Sequence, residues 1–117
     1  MFGFFRKRSK QNKNMAVRDS LAEQGDDGRR PRHVLHYAYP AKKGGSAPKH
    51  EIRRILVGIA DVRFTDGPEN LGLVFEHTRE VASPEFDALT DHFESLLATR
   101  GWEYDGWECD VVRGEDR

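Results

Sequence analysis

The sequence predicts an α+β domain built on one antiparallel sheet. Three observations carry that expectation. Strand-length runs rich in β-branched and aromatic residues fall at 33–39, 59–65, 71–78 and 102–112. Between them, 49–57 and 84–100 space their apolar residues at helical intervals. The chain is 117 residues long and 37% hydrophobic, enough for one core.

The elements follow in order. Residues 16–24 (AVRDSLAEQ) fit a short helix with Val17 and Leu21 on one face, ended by Gly25 and the Asp26-Asp27-Gly28 loop. In the strand 33–39, Leu35, Tyr37 and Tyr39 share one face, and Val34, His36 and Ala38 the other. Both faces are partly apolar, as in a central strand, and Pro40 stops it. The loop 41–48 (AKKGGSAP) leads into the helix 49–57, where Ile52, Ile55 and Leu56 make one stripe. Strands 59–65 and 71–78 flank the turn residues 66–70 and form a hairpin.

Ser83 and Pro84 suit the N-cap and first position of the helix 84–100. Its stripe is Phe86, Leu89, Phe93, Leu96 and Leu97, and Arg100-Gly101 closes it. In the last strand, 102–112, Asp105-Gly106 marks a bulge or kink. A bend there hands the alternation of Trp102 and Tyr104 over to Trp107, Cys109 and Val111 with a change of face. After the first helix, the order is β-α-β-β-α-β, the ferredoxin-like, split βαβ pattern with its helices on one face. The domain organisation is a basic, disordered segment at 1–14, a single domain at 15–113 and a tail at 114–117.

The net charge of -1 conceals a division. Residues 1–60 carry 14 Lys+Arg against 5 Asp+Glu; residues 61–117 carry 5 against 15. Such halves indicate a charged partner, or packing of one half against the other. The basic residues Arg6, Lys7, Arg8, Lys10 and Lys13 follow Phe2, Phe4 and Phe5. They read as a disordered terminus, as an extension upstream of a start at Met15, or as a tether to nucleic acid or an anionic membrane.

Several classes are excluded or disfavoured. The one cysteine, Cys109, allows neither an intrachain disulfide nor a CxxC zinc framework. No apolar run approaches the ~18 residues of a spanning helix, and the first ten residues do not make a secretory signal. A cytoplasmic protein without a membrane association is expected. No cofactor motif and no nucleophile motif occurs. Gly44-Gly45-Ser46 before a helix is a weak phosphate cradle and reads better as a flexible linker. His33 and His36 point to opposite faces of a strand, and His50, His77 and His92 lack partners at metal-ligand spacing.

The run Glu103-Tyr104-Asp105-Gly106-Trp107 after a closing helix resembles the regulator of ribonuclease activity B family, the protein inhibitors of ribonuclease E. The first helix, its Gly25-Asp26-Asp27 loop and the His- and aromatic-rich strand from Arg32 to Tyr37 resemble the same family. The resemblance spans about residues 16–112. It implies a ferredoxin-like domain without catalytic residues or cofactor. It further implies binding to the non-catalytic scaffold region of ribonuclease E, or to a related RNA-decay component.

On that reading the partner-binding candidates are Asp26, Asp27, Asp87, Asp91, Glu103, Tyr104, Asp105, Trp107 and Glu108. Exposed Tyr and Trp beside acids make an interface. The structural alternative is that the motif fixes a bulge and its aromatics fill the core. Asp87, Asp91 and Glu94 share a helix face that either meets an Arg-rich partner, is simply solvated, or is covered by the basic half. A second function class is direct nucleic-acid binding through the basic N-terminus and the Arg29–Arg32 run. A variant of it stacks bases on Tyr37, Tyr39 and Phe75, which the acidic second half opposes. The oligomeric state is not legible in the sequence.

Overall fold

The computed structural model describes residues 10–41, 45–64 and 72–113, with only the backbone for 10–13 and 62–64. These residues form three helices, α1 (Lys10–Glu23), α2 (Lys49–Leu56) and α3 (Pro84–Ala98). They also form four strands, β1 (Arg32–Pro40), β2 (Asp61–Phe64), β3 (Leu73–Arg79) and β4 (Trp102–Cys109). The architecture is therefore α+β, with an antiparallel sheet ordered β2-β3-β1-β4. β2 pairs with β3 as expected of a hairpin; the turn at 66–70 lies outside the described residues.

Alternation along the central strand decides the layers. On β1, Arg32, Val34, His36 and Ala38 turn inward and are buried. Leu73 and Phe75 of β3 do the same. Val17 and Leu21 of α1, Ile52 and Leu56 of α2, and Phe86, Phe93 and Leu97 of α3 close over them in one core. Each such fully buried Phe or Leu side chain contributes about 1.5–3 kcal/mol relative to exposure.

Local chemistry sets the helix ends. Ser83 Oγ accepts the Phe86 N–H at 3.0 Å, and Pro84 begins α3. Gly25 takes φ 83°, so that Asp26 N reaches back to Leu21 O at 2.9 Å and Gly25 N to Ala22 O at 3.0 Å. That pair of bonds closes α1 with a Schellman motif.

Helix α1 starts at Lys10, earlier than the expected residue 16. The reason is a mixed stripe. Asn14, Val17, Arg18 and Leu21 lie at i, i+3, i+4 and i+7, and the two polar members find partners on α3. An apolar periodicity alone starts only at Val17.

Candidate functional site

The Glu103–Trp107 run sits on β4 at the sheet edge, beside β1. Tyr37 opposes Gly106, while Ala38 opposes Tyr104, so Asp105 is the extra residue of a bulge. Gly106 has φ 107°, a conformation that a side chain disfavours. The expected bulge is present, but its consequence is the reverse of a change of face. The added residue cancels the shift in alternation, so Trp102, Tyr104, Trp107 and Cys109 all enter the same core.

The motif therefore divides. Trp107 is only 1% exposed, meets Phe86 edge-on at 4.8 Å, and donates its indole N–H to Asn14 Oδ1 at 2.8 Å. Tyr104 is buried, with its hydroxyl 2.7 Å from His36 Nδ1. Neither presents a surface to a partner, which corrects the expectation that they form an interface. Glu103 is exposed, and Asp105 and Glu108 are half-buried. Glu108 accepts the Tyr37 hydroxyl at 2.6 Å.

Asp26 and Asp27 also part company. Asp26 is 1% exposed and forms a forked ion pair with the buried Arg32, one arm at 3.0 Å. It also accepts the N–H groups of Gly28 at 2.9 Å and Val112 at 2.8 Å. Burial opposes its charge, but the Arg32 side chain and those two N–H groups outweigh it and hold the carboxyl below its ordinary value. Arg32 further donates to Asp110 O at 3.0 Å, so this pair ties the α1 loop to the residues after β4. Asp26 is structural, and Arg32 is not available to a nucleic acid. Asp27 stays exposed, accepting Arg29 N at 3.0 Å and lying 3.7 Å from Arg30.

On α3, Asp87 accepts from Arg18 at 2.6 Å and from Asn14 at 2.9 Å. Of the two halves of unlike charge, the basic one thus covers the first acid of the helix face, while Asp91 remains exposed. Thr90, buried on the same helix, receives the other Asn14 N–H at 3.1 Å.

A buried chain of polar rings escaped the sequence reading. His36 lies in the core, its Nε2 2.8 Å from His77 Nε2, and its ring stacks 5.1 Å from Phe75. Burial, then the charges of His77 and Arg79, pushes His36 well below its usual range. Burial, then Arg79 and His33, pushes His77 down to about 4. Both are neutral near pH 7, and burial with Glu94 nearby pushes Tyr104 well up. The β1–β3 register brings them together: His36 pairs with Phe75 and Val34 with His77, so the two histidines are diagonal neighbours on the inner face. Phe75 belongs to this inner cluster, so it cannot stack bases beside Tyr37 and Tyr39, which line the opposite face.

The loop before α2 is tied down at its described end. Ser46 Oγ donates to Gly101 O at 2.8 Å and Ala41 O at 3.1 Å, and Trp102 Nε1 donates to Ala47 O at 2.7 Å. Ser46 is thereby engaged in architecture, and the linker reading gives way to a stitched loop; Lys42–Gly44 lie outside the described residues. Among the described residues, no group of three or more His, Cys, Asp or Glu could hold a metal ion, and no helix is long and apolar enough to cross a membrane. The basic segment before Lys10 lies outside the described residues. Burial raises the Cys109 thiol to about 11 against the opposing Arg32 charge, so it is an unreactive core residue.

The aromatic residues of the Glu103–Trp107 run thus face inward, while Asp27, Asp91 and Glu103 are exposed. Comparison with curated protein sequences gives no match. The family model described as regulator of ribonuclease activity B matches residues 11–109, a span that runs from α1 through the end of β4. With that match over most of its length, the chain belongs to the regulator of ribonuclease activity B family.

Proposed function

We propose that this protein is a non-catalytic modulator that binds an RNA-degrading endoribonuclease, ribonuclease E or a related enzyme, in the cytoplasm and lowers its cleavage of RNA. The family match over residues 11–109 carries the reading. The element order and the strand order β2-β3-β1-β4 support a ferredoxin-like domain as its scaffold. The surface supports it as well. Asp26 and Asp87 are engaged internally, whereas the contact carboxylates are the exposed Asp27, Asp91 and Glu103 with the half-buried Asp105 and Glu108. They suit a basic scaffold segment of the enzyme, through complementary charge that steers encounter and fixes register. Binding is stoichiometric, and inhibition follows from occupying that segment.

The test is an affinity capture of the tagged protein from its own lysate, with and without nuclease treatment, read by mass spectrometry. A ribonuclease that survives nuclease treatment is the expected result. Partners that vanish with the RNA would mean nucleic-acid association instead.

A further inference from the structure

The sheet has a second face, away from the three helices, on which Leu35 and Val74 are buried and Tyr37 and Tyr39 half-buried. α1, α2 and α3 all pack on the inner face, and none of the outward residues Leu35, Tyr37, Tyr39 and Val74 joins their core. Pairing lays this outer face out in rows. Leu35 stands between Glu76 on β3 and Glu108 on β4. One row along, Tyr37 opposes Val74 and Gly106. Beyond it, Tyr39 opposes Glu103, with its ring over Gly72, where an added Cβ would come within 2.5 Å of it. The result is a spine along β1 whose accessible part is the half-buried Tyr37 and Tyr39, with carboxylates on both flanks, of which Glu76 is paired with His33 and Glu103 is exposed.

We propose that this outer face is the docking surface, and that its occupant is an extended, arginine-bearing segment of the partner protein. The proposal rests on the protein-binding reading above and names the surface and the chemistry of the segment. A guanidinium suits the site in two ways at once. It stacks on a tyrosine face, and its planar fork meets a carboxylate beside that ring. The bond from the Tyr37 hydroxyl to Glu108 at 2.6 Å holds one such ring and carboxylate together. Tyr37 and Tyr39 are two residues apart on a strand, roughly 6.7 Å, which is the repeat of same-side residues in an extended peptide. Single-stranded RNA could use the same rings, but Glu76, Glu103 and Glu108 would face its phosphates.

The test uses the full chain and fluorescein-labelled nona-arginine, followed by anisotropy, with labelled oligouridylate as the competing probe. Tyr39→Ala and Glu103→Lys should each weaken the peptide by about tenfold, the loss of one stacked or paired guanidinium. Glu103 is exposed, so Glu103→Lys keeps the fold, which circular dichroism verifies. Asp19→Lys, exposed on α1 in the helix layer, should change affinity less than about twofold, since distant rim charges contribute little. Equal weakening by Asp19→Lys, no weakening by the sheet variants, or tighter binding of oligouridylate would each overturn the proposal. An RNA-cleavage assay separates the two claims. Full inhibition retained by Glu103→Lys overturns this surface and leaves the ribonuclease reading intact; absence of inhibition by the unaltered protein removes that reading while the peptide titration still decides the surface.

Discussion

The indole N–H of Trp107 donates to the side-chain oxygen of Asn14 at 2.8 Å, across 93 residues of chain. Asn14 then spends its own N–H groups on Asp87 and Thr90. One buried amide therefore joins α1, α3 and β4 through three partners. Removing one partner from a buried network leaves the others unsatisfied. Asn14→Ala should cost about 1–3 kcal/mol in urea unfolding. Trp107→Phe should cost less when made in the Asn14→Ala background than alone. Strict additivity of the two would show that the bond contributes nothing.

The Asp26–Arg32 pair makes a sharper case, since neither side chain reaches solvent. Asp26→Asn leaves the Arg32 charge uncompensated in the interior and should destabilise by about 3–5 kcal/mol. The sign with pH follows from the lowered carboxyl. Its contribution is complete above the ordinary value of 3.8 and is lost as pH falls through the lower folded value. Denaturant midpoints for the unaltered chain and Asp26→Asn should converge at acid pH; a constant gap would contradict the pairing.

His36 and His77 act at milder pH. Both are held below 6.5, and His77 falls to about 4. Below 6.5 the unfolded chain takes up protons that the folded chain refuses, so stability must fall as pH drops from 6.5 toward 4. The two facing Nε2 atoms share one proton, which a doubly protonated pair could not do. His77→Gln should flatten the decline of the melting temperature over that window. An unchanged slope would place the acid sensitivity elsewhere.

Gly106 was legible in the sequence, and so was its bulge. A Gly inside a strand bounded by aromatic residues has few other uses. With φ at 107°, Gly106→Ala should cost about 1–3 kcal/mol by thermal or urea unfolding. A neutral effect would mean that the bulge can move to another residue.

The other features read correctly share that local character. Ser83-Pro84 announces a helix start and Gly25 a helix end, because caps involve only adjacent backbone groups. Asn14, Thr90, Asp26, Arg32 and His36 were not legible. Polar residues are mostly exposed, and their burial depends on partners brought in by the tertiary fold. The same reason hides the burial of Trp107 and Tyr104. Their direction depends on whether the bulge cancels or keeps the alternation, which only the register with Tyr37 and Ala38 decides.

The most direct measurement is a titration of the purified protein into an RNA-cleavage reaction with ribonuclease E that retains its scaffold region. The expected result is a fall in cleavage that saturates near one equivalent of protein and is relieved by salt, as charge-guided binding requires. Cleavage unchanged at a large excess of folded protein would contradict the proposed function.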